Sequence, residues 1–325
     1  MNLDTKISFT SKQKSLTPIP WADNNRPELK RAAVDVIPKA DVLVITYTSA
    51  EGQALADVLT PGYESKDWNK YTTNFSSFES ELTNRSPAKF SKDLGVWATT
   101  EINGKYVVLF KSSLHPSTDA TSLPMKRLWI QLIEEVNPSF VITTGTAGGI
   151  GANTELGDIA VTNGAKFNCQ KDFKNEPYAQ ETFIGPSVSG LSKSFEEAEK
   201  LIEANWERLK PITHRSPVVR SAFDVAGVET VDFFGFADPE DSFGIVKNDP
   251  DALTEEMDDA ALPLALKEIN SNIPWLSIRN ASDPQTPQLS TVAEEKKWAE
   301  HIYERYGYTT TVGSAITVAC CIAAL

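Results

Sequence analysis

The chain has 325 residues, 41% hydrophobic and 23% charged, which suits one large globular α/β domain with a sizeable core. Its formal net charge of −13 argues against a sequence-independent grip on nucleic acid or on an anionic membrane, since both need a basic face. Cys169, Cys320 and Cys321 make an odd count without metal spacing, and His115, His214 and His301 fit no zinc pattern. The composition therefore leads us to expect no bound metal, a reducing compartment and a cytoplasmic location. The first 20 residues lack the apolar centre of a secretory signal, and the run 315–325 is too short to span a bilayer.

Residues 1–37 are polar and proline-containing and read as an amino-terminal arm before a single domain over 38–325. Asp41–Tyr47 is a continuous apolar run, as in a strand buried on both faces. Ser49 is placed to cap a helix over Ala50–Leu59, stopped by Pro61. Residues 62–92 have little period and read as an insertion. Leu94–Glu101 and Lys105–Lys111 form a hairpin across Asn103-Gly104. A helix over Thr121–Val136 precedes strands at Phe140–Thr144 and Asp158–Thr162. Further insertions are placed near 172–215 and 229–251, the second holding an acidic surface loop at Asp238–Asp251. Helices are expected at Phe195–Leu209, Thr254–Ile269, Thr291–Tyr306 and Thr309–Ala324, and strands at Pro217–Val225 and Trp275–Asn280. Strands alternating with helices predict an α/β three-layer sandwich around a central mixed sheet, with insertions.

Three segments carry candidate chemistry. Val141-Ile-Thr-Thr-Gly145-Thr-Ala-Gly-Gly149 runs an apolar strand into small residues that admit a ligand close to the backbone. Glu256-Met257-Asp258-Asp259 is an acidic stretch at the start of a helical pattern. Arg279-Asn280-Ala281-Ser282-Asp283 ends a strand on a carboxylate. Thr154 stands where a dinucleotide fingerprint needs Gly or Ala, and no Walker lysine follows the loop, so no nucleotide cofactor is expected. Plainer readings stay open: Asp283 as a cap before Pro284, Glu51 as a first-turn glutamate, Thr146 as a loop hydroxyl, Phe223 as a core aromatic. His115-Pro116 precedes a helix, where contact with a ligand stays open, but a lone histidine makes no site.

In this order the three segments resemble the TGxAGG-like loop, EME-like segment and RxxSD strand end of the nucleoside phosphorylase and nucleosidase superfamily. The resemblance implies catalytic Asp283, Glu51 and Arg279: the first protonates or hydrogen-bonds the departing purine, the second orients water, and the third helps to hold it. It implies substrate contacts from Thr146, Ala147, Gly148 and Ser282, purine stacking by Phe223, a ribose face on Met257, and sugar hydroxyls on Asp258. This chain departs from the family at Asp258, one methylene shorter than glutamate, at Asp259, where the family has a small residue, and at Thr46, where it has glycine. The phosphorylase branch carries an arginine where this chain has Thr143, which favours water over phosphate. The resemblance thus implies a purine nucleosidase acting on a purine (adenine-type) nucleoside or 5′-substituted nucleoside. A phosphorylase and a silent nucleoside-sensing module are the alternatives. It further implies a homo-oligomer, most simply a dimer.

Overall fold

The computed structural model describes residues 16, 18–22, 25–32, 36–151, 153–204, 206, 213, 215–233, 244–284 and 292–325. Strand β1 (Glu28–Leu29) lies in the expected arm. Strand β2 (Val42–Thr46) is the first core strand, and α1 (Ser49–Leu59) follows it. Residues 62–92 contribute β3 (Asn69–Tyr71) and short helices α2 (Phe75–Phe78) and α3 (Pro87–Ser91). Hairpin strands β4 (Gly95–Ile102) and β5 (Lys105–Ser112) turn at Asn103 and Gly104, both at positive φ, as the Asn-Gly pair predicts. Next come α4 (Pro124–Val136), β6 (Phe140–Gly149), β7 (Ile159–Thr162), β8 (Gly164–Asn168), β9 (Thr182–Ile184) and α5 (Ser192–Glu203). The chain continues through β10 (Val219–Ala222), β11 (Val228–Val231), α6 (Ile245–Asn248), β12 (Thr254–Glu256) and α7 (Ala261–Glu268). It ends with β13 (Trp275–Pro284) and α8 (Val292–Ala324).

The described strands form one mixed sheet ordered β1-β4-β5-β2-β6-β12-β11-β8-β9, with β3 on β4 and a branch of β13, β7 and β10 off β6. Alternation along β2 builds the layers: Leu43 and Ile45 face α4 and α7, whereas Val42 and Val44 face α1, α5 and α8. The α/β three-layer sandwich is therefore present, with its core in two sheets of contact. Strand β6 is its hinge. It pairs in parallel with β2 through Thr143, in antiparallel with β12 at Gly148 and Gly149, and in parallel with β13 along its length.

Several local expectations need correction. Thr48, not Ser49, caps α1, and the N3 residue Glu51 completes a capping box. The strand expected at Phe140–Thr144 continues through the small residues to Gly149, because β12 and β13 pair with that part of it. The helix expected over Thr254–Ile269 splits into β12 and α7, because Thr254 and Glu255 pair with β6. The two carboxy-terminal helices are one, continuous through Gly307. That helix is long and apolar enough to cross a membrane by length and composition alone, but its apolar stretch is mostly buried inside the protein. Residues 238–243 of the expected acidic loop lie outside the described residues, and the rest of that stretch holds the short helix α6.

Gly164 opens β8 where the sheet has no room for a side chain. A Cβ there would stand 1.8 Å from the Val225 carbonyl oxygen, and a backbone atom cannot rotate away as a side chain can. Gly164→Ala is expected to cost about 1–3 kcal/mol of stability by overpacking. A shift of the urea midpoint at unchanged slope would show it, and a loss below about 0.5 kcal/mol would contradict it.

Candidate active site

Because β2, β6 and β13 run in parallel, their carboxyl ends share one edge of the sheet, where α/β proteins bind ligands. Helix α1 starts there and turns the buried Glu51 back over the edge. Glu51 Oε2 accepts hydrogen bonds from Tyr47 N–H (3.0 Å), Thr48 N–H (2.8 Å) and Thr46 Oγ1 (3.1 Å). Its Oε1 accepts from the backbone N–H (2.8 Å) and Oγ1 (2.7 Å) of Thr146. Burial opposes ionisation of Glu51, but the Arg279 charge and the donors on Thr146 and Thr48 outweigh it and hold its carboxyl below the usual glutamate range. Thr46, bulkier than the glycine of the resemblance, thus supplies a donor to Glu51. Gly145 admits the carboxylate: a Cβ on it would stand 2.6 Å from the Glu51 carboxyl carbon.

Arg279 projects from β13 into a site where it is 1% exposed. Asp259, just past β12, receives its Nε at 2.9 Å and its Nη2, with Ser277 Oγ and Tyr47 OH (3.5 Å) completing the carboxylate's shell. The guanidinium carbon lies 5.0 Å from the centre of the Tyr47 ring, and Nη2 stands 3.3 Å from Glu256 Oε2. Burial works against the Arg279 charge, but Asp259 and Glu256 more than compensate and push its pKa well up. Asp259 is therefore the partner of Arg279. Glu256 accepts from the N–H groups of Asp258 and Asp259 (2.9 Å) and from Thr230 Oγ1 (2.5 Å), which bends the chain out of β12 toward α7. Burial, with Asp259 nearby, raises the Glu256 carboxyl well above its ordinary range.

Asp258 is buried next to this bend, and its Oδ1 accepts no hydrogen bond among the described residues. His115 Nε2, from the loop after β5, stands 3.4 Å from that oxygen. Burial raises the Asp258 carboxyl well above normal and lowers His115 to about 4, so the histidine is neutral at neutral pH. Met257 beside it is half-buried. On the other flank a bulge at Ser282 shifts the register, setting Ala281 opposite Ala147 and Asp283 opposite Gly148. Ser282 Oγ lies 2.5 Å from Asp283 Oδ1 and 3.3 Å from the Ala147 carbonyl.

The edge thus gathers Glu51, Arg279, Thr146, Ala147, Gly148, Asp258, Ser282 and Asp283. Phe223 is not among them. Strand β7 runs antiparallel to β13 and β10 parallel to β7, so the chain leaves β10 beside Ser277, about 20 Å of strand from Asp283. Phe223 instead stacks on Phe195 of α5, at 6.4 Å between centroids, in the core under α8. His115 was missed. Its signal lay in the Lys105–Lys111 run, since β5 is parallel to β2 and so ends at this same edge. Thr143 is buried within β6 and donates to the Leu276 carbonyl at 3.5 Å. No described cluster of His, Cys, Asp and Glu is arranged to hold a metal.

No protein-family model matches the chain. It is 29% identical over 183 residues to a 5′-methylthioadenosine/S-adenosylhomocysteine nucleosidase of Psychromonas ingrahamii, across 56% of this chain and 70% of that protein. Its fold matches the nucleosidase of that name from Neisseria meningitidis, solved with methylthio-immucillin-A, at a TM-score of 0.51 and 18% identity, over 87% and 99% of the two chains. It also matches futalosine hydrolase of Helicobacter pylori at 0.52 and 10% identity, over 87% and 97%. At such identities the structural likeness establishes the fold.

Two outcomes follow from the electrostatics of this edge. Asp259→Ala leaves Arg279 buried without its bidentate partner and is expected to cost about 3–5 kcal/mol in urea unfolding; a loss below about 1 kcal/mol would remove the pair from its central place. Glu51 has a folded pKa below its ordinary 4.5, so its contribution to stability is full above that value and disappears as pH falls through the folded pKa. Glu51→Gln is therefore expected to flatten stability against pH below about 4.5, while a wild-type and variant pair with parallel acid limbs would contradict the shift.

Proposed function

We propose that this chain, a member of the nucleoside phosphorylase/nucleosidase superfamily, is a purine nucleosidase that hydrolyses the N-glycosidic bond of a 5′-substituted adenosine. One observation carries the reading. Glu51 is bonded to Thr146 and Asp283 lies in register with Gly148, so two carboxyl groups flank the same three residues of β6. Glu51, held ionised, accepts a hydrogen bond from water, directs its oxygen at C1′ and takes the proton that the water loses as the C1′–O bond forms. Asp283 delivers or shares a proton with the purine as the C1′–N bond breaks. The products are free base and the sugar bearing the water's hydroxyl. Arg279 is committed to Asp259 and Glu256, and Thr143 stands in place of the phosphorylase arginine, which supports water as the nucleophile. The homodimer remains what the sequence resemblance implies, and the three free cysteines support a reducing, cytoplasmic setting.

The test is adenine release from 5′-methylthioadenosine and other nucleosides, with and without inorganic phosphate. Release independent of phosphate is expected, and a sugar 1-phosphate product would place the chain in the phosphorylase branch. No release from any nucleoside, with binding retained, would favour the sensing module. Asp283→Asn keeps the shape of the acid without its proton and is expected to lower kcat by about 10²–10⁴-fold at unchanged Tm. Turnover within a few-fold of wild type would remove Asp283 from the acid's role.

A further inference from the structure

The pair His115 and Asp258 is left open in a way that a structural ion pair is not. A settled N–H···O contact closes to about 2.9 Å, whereas Nε2 and Oδ1 stand 3.4 Å apart and the buried Oδ1 accepts no hydrogen bond among the described residues. A buried carboxylate oxygen without a partner calls for an explanation, and a ligand donor is one. The imidazole opposite it is held with care. The Ser117 N–H donates to His115 Nδ1 at 3.1 Å, which makes Nδ1 the acceptor and puts the ring proton on Nε2, facing Asp258. Asp119 Oδ2 accepts the His115 backbone N–H at 2.8 Å and fixes the start of the same turn. A donor thus faces an unfilled acceptor at the ligand-binding edge. The group that satisfies both at once must donate and accept, and a hydroxyl does so.

We propose that His115 and Asp258 clamp one hydroxyl of the substrate's ribose, which accepts from His115 Nε2 and donates to Asp258 Oδ1. The proposal rests on the nucleoside reading above and deepens it, adding His115 as a specificity-determining residue. It also accounts for the short side chain at position 258: aspartate reaches one methylene less far than glutamate, and the imidazole supplies the second contact. A substrate lacking the clamped hydroxyl leaves a donor and an acceptor buried without partners, which is the more discriminating kind of loss.

The experiment measures binding without turnover, using a C-nucleoside analogue of adenosine, whose sugar–base bond is carbon–carbon, beside its 2′-deoxy and 3′-deoxy forms. Calorimetry is run on the full chain as wild type, His115→Phe and His115→Gln. Wild type is expected to prefer the ribo form over at least one deoxy form by about ten- to a hundred-fold, the factor for leaving a buried donor and acceptor unpaired. His115→Phe keeps a ring but loses the donor, and is expected to weaken the ribo form by that factor while leaving the disfavoured deoxy form within about threefold. His115→Gln keeps an N–H donor and is expected to retain most of the preference. Equal weakening of all three ligands by His115→Phe, or an unchanged preference, would overturn the clamp. Adenine release by wild type is measured separately. Turnover by wild type together with equal weakening of all three ligands by His115→Phe, or with an unchanged preference, would sink the clamp and keep the nucleosidase. A selective clamp without turnover would do the reverse.

Discussion

A single buried cation organises the acidic edge of this sheet. Arg279 is sealed from solvent among Asp259, Glu256 and the face of Tyr47. Taking a guanidinium out of water is costly, and its attraction to nearby carboxylates repays that only with good geometry and filled hydrogen bonds. Asp259 provides both: a two-point contact on Arg279 and further donors from Ser277 and Tyr47. The planar fork explains the residue type, since a lysine would offer one point charge and could not bind Asp259 along an edge. The pair also joins distant stretches of chain, because Asp259 follows β12, Arg279 lies on β13 and Tyr47 follows β2.

From that anchor the charge reaches Glu51 through a relay. Arg279 Nη1 donates to the Thr146 carbonyl at 3.2 Å, and the same residue gives its N–H and hydroxyl to Glu51 Oε1. Thr146 therefore sits between cation and carboxylate with each of its polar groups engaged. Its place depends on β6 extending as a strand through the small residues, and on Gly145 leaving the space that Glu51 fills.

Much of this was legible from residues alone, for physical reasons. Strand β2 announced itself because burial on both faces demands an unbroken apolar run, and the hairpin because Asn103-Gly104 suits its positive φ angles. The TGTAGG and RNASD segments were readable because the small residues and the terminal acid are local features. What failed depended on partners far along the chain. Thr254–Glu256 looks helical by period but pairs with β6. Phe223 sits at the wrong end of β13 because β7 reverses direction, which no local pattern reports. Asp259 looked like one more acid in a helical turn until Arg279, 20 residues on, was folded against it. His115 carried no motif, and its meaning came from the parallel pairing of β5 with β2.

The charge at this edge also bears on which nucleophile it can serve. The Asp259 charge is spent on Arg279, and Glu256 and Asp258 are pushed toward their neutral forms, but Glu51 is held ionised. Arg279 is committed to Asp259 and Glu256, so neither β6 nor β13 offers a spare arginine to a phosphate dianion. The sugar gains positive charge as its bond to the base breaks, and a fixed carboxylate placed beforehand stabilises that charge without having to reorganise. Glu51 would thus do two things from one position: orient the water and favour the cationic sugar. The donors from Tyr47, Thr48 and Thr146 keep that carboxylate in place and ionised until the attacking water gives up its proton.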